Sequence, residues 1–101
     1  MIYEKCEMIS VSLKGEVGFD LCNVKIDEKE IRIEYANQGE HGREVHFYEA
    51  PNLGTGHFYL VKMDKYSLGK ASLHFEFDSK SLVGFWYEDG MEGFWKIILK
   101  R

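Results

Sequence analysis

The sequence is poor in several kinds of residue. It has one proline and two cysteines in 101 residues, and its 13 lysines and arginines form no cluster. The single proline and the 45% apolar content argue against a disordered or low-complexity protein. With a net charge of −4, the chain also lacks the electrostatic pattern by which proteins bind nucleic acid or anionic membranes. We therefore expect neither nucleic acid nor a membrane among its partners.

Long apolar runs are missing as well. No stretch approaches the roughly 18 residues of a membrane-spanning helix, and the first ten residues lack the basic segment and apolar run of a signal peptide. We expect a cytoplasmic protein that folds as one domain over residues 1–101. Cys6 and Cys22 form no CxxC motif and have no histidine at zinc-finger spacing. In a reducing compartment we therefore favour two free, buried thiols over a disulfide.

Alternation of apolar and polar residues is the dominant pattern that the chain does contain. Turn residues recur at short spacing, apolar residues between them repeat with period two, and no amphipathic stretch of helical length occurs. This pattern predicts an all-β protein with about eight short antiparallel strands in sequential order. An open sheet of that width would leave two edges and an apolar face uncovered. We expect an up-and-down meander closed as a small eight-stranded barrel, with a β-sandwich as the alternative.

The clearest hairpin spans residues 82–99. Asp89-Gly90 suits a tight two-residue turn, since glycine tolerates a positive φ and aspartate adopts one more readily than most residues. This turn predicts a register in which each indole covers a glycine on the opposite strand: Trp86 over Gly93 and Trp95 over Gly84.

Two further hairpins can be aligned in the same way. The polar stretch 27–30 predicts three pairs on one face: Ile26 with Ile31, Val24 with Ile33 and Cys22 with Tyr35. The in/out parity changes between Leu21 and Cys22, so a β-bulge or a bend is predicted there. A four-residue loop over 78–81 predicts three more pairs: Phe77 with Leu82, Phe75 with Gly84 and Leu73 with Trp86.

Three segments of the second half carry a family resemblance. Residues 56–61 (GHFYLV), 69–75 (GKASLHF) and 82–99 (LVGFWYEDGMEGFWKIIL) resemble small bacterial lipocalin-like, calycin-type β-barrel proteins, most of them uncharacterised. The shared motifs are packing motifs. The resemblance therefore implies a lipocalin-like barrel and transfers no catalytic residue.

Residues that carry chemistry are scattered. Of the histidines at positions 41, 46, 57 and 74, only His41 and His46 are close, and their spacing does not make two ligands converge. We expect no metal site and no cofactor. The chain has no nucleophile elbow, phosphate-binding glycine loop or zinc-protease helix. No catalytic residue can be named, and the sequence favours a non-enzymatic protein without deciding the matter.

The aromatic residues provide a candidate ligand site. We expect a small apolar or aromatic ligand at a barrel mouth, against Trp86, Trp95, Tyr35, Tyr59 and Phe75. The alternative is that the two indoles simply fill a small barrel, and for the tryptophans we favour this role.

The opposite face of the last hairpin provides a candidate interface. Phe85 is predicted to pair with Phe94, flanked by Tyr87 and His74, so the hairpin is apolar on both faces. We expect this outer face to bind a second copy of the chain or another protein.

Two functions remain: binding or sequestering a small ligand, and a protein-interaction module such as an inhibitor or immunity protein. A polar-lined concavity enclosed by Trp and Tyr would favour the first, and a packed barrel with an outer apolar patch would favour the second.

Overall fold

The computed structural model describes residues 1–40 and 42–100. They form a closed barrel of eight antiparallel strands, in which each strand pairs with the next and the last pairs with the first. The strands are β1 (Ile2–Ser12), β2 (Val17–Ile26), β3 (Glu30–Gly39), β4 (Gly42–Pro51), β5 (His57–Lys62), β6 (Gly69–Glu76), β7 (Ser81–Glu88) and β8 (Met91–Ile98). The expected eight-stranded meander barrel is confirmed. Within these residues, no helix has the length and apolar character needed to cross a membrane.

The β7–β8 hairpin has the predicted register. Trp86 lies opposite Gly93 and Gly84 lies opposite Trp95. Asp89 and Gly90 form the turn with φ values of +49° and +81°. Both glycines are needed for close approach between strands, because a Cβ on Gly84 would lie 1.8 Å from the carbonyl oxygen of Ser72 and one on Gly93 would lie 2.1 Å from that of Val11.

The β2–β3 hairpin also has the predicted pairs, but the bulge expected between Leu21 and Cys22 is wrong. Inward and outward residues alternate through β2 without interruption, because Leu21 faces solvent and Cys22 faces the core. The irregularity lies on the paired strand β1, between Tyr3 and Cys6. There Glu4 and Lys5 lie opposite Asn23 alone and Lys5 adopts a φ of +53°, so β1 carries one extra residue.

The predicted β6–β7 register is wrong by two residues. The turn consists of residues 77–80, one position earlier than expected, with Lys80 at a φ of +49° and its N–H 3.4 Å from the carbonyl oxygen of Phe77. Phe77 therefore leaves the sheet and is exposed. The pairs are Phe75 with Leu82, Leu73 with Gly84 and Ala71 with Trp86.

Side chains from all eight strands fill the barrel. The fully buried apolar residues include Val24, Ile31, Ile33, Leu60, Leu73, Leu82 and Ile97. Cys6 and Cys22 lie opposite each other on β1 and β2, and both are buried free thiols, as predicted. Burial of these side chains is the main stabilising contribution to the barrel.

Candidate functional site

Four exposed aromatic side chains lie together on the outside of strands β5, β7 and β8. Their exposed fractions are 71% for Tyr59, 58% for Phe85, 50% for Phe94 and 42% for Tyr87, and we call them the outer aromatic face. Cross-strand pairing places Tyr59 opposite Ser72, which in turn lies opposite Phe85. Phe85 lies opposite Phe94, with 4.7 Å between the ring centroids. The residues expected at an interface on the last hairpin are thus neighbours on one surface.

A groove of about 550 Å³ runs along the outer aromatic face. Its lining is mainly apolar and includes Leu13 and Val61 beside three of the four aromatic residues. Lys70 and Glu92 also line it, on either side of Tyr87 in the same cross-strand row. The ammonium of Lys70 lies 5.8 Å from the centroid of the Tyr87 ring. The groove therefore combines aromatic surface with one charge of each sign.

His74, also expected at the interface, lies on the same outer surface. It is exposed on β6, and its ring centroid is 5.7 Å from that of His57. Nε2 of His57 is 2.9 Å from the hydroxyl of Ser72. These polar side chains border the apolar surface near its Ser72 row.

The five residues expected to line one ligand site lie in three separate places. Trp86 and Tyr59 both line the outer groove, and the indole N–H of Trp86 donates to the carbonyl oxygen of Phe94 at 3.0 Å. Trp95 is buried, and its centroid is 6.3 Å from that of Tyr35 in an edge-to-face arrangement. Strand alternation on β5 explains why Tyr59 faces outward, since both of its neighbours in the sequence are buried.

Phe75 lies near the β6–β7 turn, away from both tryptophan environments. Its ring packs edge-to-face on Phe77 at 4.9 Å, and both line a depression with Tyr3 and Leu99. The structure therefore assembles no single mouth from the expected aromatic set. Trp95 has the filling role that was the alternative.

A group of polar side chains lies inside the barrel beside Trp95. We call His46, Tyr48, Lys62, Asp64 and Glu88 the inner polar cluster. The Lys62 ammonium lies 2.5 Å from Oδ1 of Asp64 and 3.8 Å from Oε1 of Glu88. The Tyr48 hydroxyl donates to Oε1 of Glu88 at 3.1 Å, and the Tyr48 ring packs edge-to-face on Trp95 at 5.1 Å.

Burial and the neighbouring charges shift the pKa values of Tyr48 and Asp64 in this cluster. Burial first, and then the carboxylate of Glu88, raise the pKa of Tyr48 far above its ordinary value. For Asp64, burial alone would raise the pKa, but the Lys62 ammonium and the N–H groups of Phe47 and Tyr66 outweigh it and lower the pKa. Asp64 is thus held as a carboxylate and Tyr48 as a neutral phenol.

His46 connects the cluster to the protruding β3–β4 hairpin. Its Nε2 is 3.0 Å from Oδ1 of Asn37, and its ring stacks on Tyr35 with 5.1 Å between centroids. Nδ1 is buried without a hydrogen-bond partner among the described residues and lies 3.8 Å from Oδ1 of Asp64. The ring is held by stacking and by one hydrogen bond.

Sequence analysis did not identify the inner polar cluster. A signal was present on β5, where Lys62 follows Phe58 and Leu60 at the buried alternate positions. A lysine in the buried phase of a strand requires an internal carboxylate. Asp64 lies two residues after Lys62, but His46, Tyr48 and Glu88 come from other strands, and spacing in the sequence could not identify them.

Among the described residues, no group of three or more His, Cys, Asp or Glu side chains is placed to hold a metal ion. His41, one of the close histidine pair, lies outside those residues. No protein-family model, curated protein or solved structure matches the chain.

Proposed function

We propose that this protein is a non-enzymatic protein-interaction module that binds through its outer aromatic face. The observation that carries the proposal is the contiguity of Tyr59, Phe85, Tyr87 and Phe94, all substantially exposed, on the outside of a barrel whose interior is filled. Soluble monomers seldom expose a contiguous apolar patch of this kind unless it serves binding. Aromatic residues are also enriched in the cores of protein interfaces.

The filled interior argues against a ligand inside the barrel. Leu60, Leu73 and Leu82 are fully buried, and Trp95 and Tyr48 belong to the same buried core cluster. The binding surface of this packed barrel is therefore its outside.

The inner polar cluster supports a structural role in place of catalysis. The side chains of Lys62 and Asp64 are only 0% and 3% exposed, and their charges compensate each other. A catalytic group must come within hydrogen-bond reach of its substrate. These two groups are closed off from solvent, so their ion pair stabilises the fold.

Site-specific photo-crosslinking in the cells that produce the protein tests the proposal. A benzophenone amino acid replaces Phe85 in one variant and Phe77 in a matched control. Both positions are exposed phenylalanines, but Phe77 lies in the β6–β7 turn away from the outer aromatic face. We expect a discrete, position-specific adduct from position 85 and none from position 77. Absence of an adduct at position 85, or equal adducts at both positions, would contradict the proposal.

A second candidate function is binding of a small apolar or aromatic molecule in the outer groove. The mainly apolar and aromatic lining of the groove favours it, since small-molecule sites are lined predominantly by such side chains. Because Trp86 lines the groove and Trp95 is buried in the core, a Trp95→Phe variant reports groove occupancy by fluorescence. Saturable quenching by small aromatic compounds is expected on this hypothesis. A response retained in Trp86→Phe, which keeps only Trp95, would contradict it.

A further inference from the structure

We propose that the partner of the outer aromatic face is a second copy of this chain, related by a two-fold axis parallel to β7 that pairs Lys70 of each copy with Glu92 of the other. The inference rests on the proposed function of that face as a binding surface. It adds the identity of the partner and the geometry of the complex.

Strand β7 carries Phe85 and Tyr87 and is flanked by β6 and β8. In one cross-strand row, Lys70 on β6 lies opposite Tyr87 on β7, which lies opposite Glu92 on β8. The charges of this row thus stand one strand to either side of an aromatic residue. Among the described residues, neither Lys70 nor Glu92 belongs to an ion pair within 4.0 Å.

In the next outward-facing row along the strands, a small and a large side chain flank β7. Ser72 on β6 lies opposite Phe85 on β7, and Phe85 lies opposite Phe94 on β8. A small residue therefore stands on one side of the central strand and a large aromatic residue on the other.

A two-fold axis parallel to β7 turns β6 of one copy onto β8 of the other. Lys70 then faces Glu92 of the second copy, and Glu92 faces Lys70 of the second copy. In the adjacent row, Phe94 faces the small Ser72 of the second copy. Charge and size are both complementary in this arrangement.

An axis perpendicular to the strands and centred on Tyr87 gives the opposite result. It would place Lys70 on Lys70 and Glu92 on Glu92, and like charges at an interface cost free energy. The distribution of charge across the face therefore selects the axis parallel to β7.

The outer aromatic face supplies about half of the area that one partner of a standard interface buries. A large aromatic side chain presents roughly 150–250 Å², so the four residues of the outer aromatic face, at 42–71% exposure, offer on the order of 400 Å². Each partner of a standard interface buries about 800 Å². The exposed side chains of Leu13 and Val61, together with the polar rim, extend the aromatic surface toward this area.

Charge reversal tests both the partner and the axis. Sedimentation velocity over a dilution series measures the dimer dissociation constant of the unmodified chain and of Lys70→Glu, Glu92→Lys and the double variant. Each single reversal creates two like-charge pairs because of the symmetry, so we expect dimerisation to weaken by about tenfold or more. The double variant exchanges the signs and should restore the dissociation constant to within a few-fold of the original. Lys25→Glu, on the outside of β2, is the matched control and should leave dimerisation unchanged.

Phe94→Glu supplies a second test that does not depend on the axis. It places a charge in the apolar surface, and we expect a monomer whose far-UV circular dichroism matches that of the unmodified barrel. A chain that is monomeric at every concentration, a dimer insensitive to Phe94→Glu, or a double reversal no better than the single ones would overturn the proposal. If the chain is monomeric but position 85 crosslinks to a different protein, only the second-copy inference fails. If position 85 gives no adduct, the proposed function fails as well.

Discussion

The ammonium of Lys62 lies 2.5 Å from Oδ1 of Asp64 inside the barrel, with both side chains shielded from water. Asp64 also accepts hydrogen bonds from the backbone N–H groups of Phe47 and Tyr66, each at 3.0 Å. Its carboxylate thereby connects β4 to the segment that follows β5, where the two strands share only two paired positions. This ion pair stabilises the part of the barrel where the sheet has the shortest ladder.

Removing the buried ammonium group of Lys62 should therefore destabilise the fold. Lys62→Met leaves the Asp64 carboxylate buried without its charge partner, which typically costs about 3–5 kcal/mol. Combining it with Asp64→Asn should recover part of the loss, because no buried charge remains uncompensated. Urea unfolding at neutral pH measures all three stabilities. A cost below about 1 kcal/mol for Lys62→Met would show that water solvates the carboxylate.

The lowered pKa of Asp64 predicts a defined acid dependence. A carboxyl group whose pKa is lower in the folded than in the unfolded state stabilises the fold above its unfolded pKa of about 3.9, and this contribution is lost as the pH falls through the folded pKa. The stability difference between the unmodified chain and Asp64→Asn should shrink as the pH falls from about 5 toward 2. Urea unfolding across this range measures it, with Asp78→Asn in the β6–β7 turn as control. A difference independent of pH would contradict the assignment.

The two glycines that face the indoles should not tolerate a methyl group. Alanine at position 84 or 93 would place Cβ against backbone atoms 1.8 and 2.1 Å away, and overpacking of this kind typically costs about 1–3 kcal/mol. Gly18→Ala is the matched control, because its nearest neighbour at 2.9 Å is the hydroxyl of Ser10, which can rotate away. Thermal unfolding compares the variants. Equal losses of thermal stability in the three alanine variants would show that a backbone neighbour is no harder to displace than a side-chain neighbour.

The thiol of Cys22 should react only when the barrel opens. Burial first, and then the neighbouring Cys6, raise the pKa of Cys22 to about 12, so the thiolate is scarce at pH 8. We expect slow alkylation of the native protein at a rate set by opening, and rapid modification of both thiols in urea. Intact mass spectrometry follows the reaction. Rapid native alkylation would contradict the burial, and a mass deficit of two hydrogens would show that a disulfide links the pair.

Sequence alternation could predict the barrel because buried and outward-facing positions alternate along strands such as β2, β3 and β5. The β7–β8 register could be predicted because Asp89-Gly90 fixes the turn and the Trp–Gly pairs agree with it. The β6–β7 register could not be predicted, because a shift of two residues leaves every side chain on the same face. Alternation alone cannot distinguish Phe75 opposite Leu82 from Phe77 opposite Leu82.

The two candidate sites also differ in how far they could be predicted from the sequence. Phe85 and Phe94 follow from strand phase and one turn, so their surface could be predicted. The inner polar cluster joins β4, β5 and β7 through contacts that depend on closure of the barrel. The Lys62–Asp64 pair is local in the sequence, but the contacts of His46, Tyr48 and Glu88 with it form only in three dimensions.

Because the barrel closes through the ladder between β1 and β8, it can close only late in folding during synthesis. Glu7 pairs with Ile98, and Ser12 pairs with Gly93. Strand β1 therefore cannot complete its pairing until β8 is present. During synthesis, the ribosome must release β8 before this ladder can form, and until then β1 and β7 both present open edges. Closing so long a loop costs entropy and slows folding. The nascent barrel is consequently most prone to aggregation after β7 and before β8 has left the ribosome, when most of its apolar surface is made and its last strand is still missing.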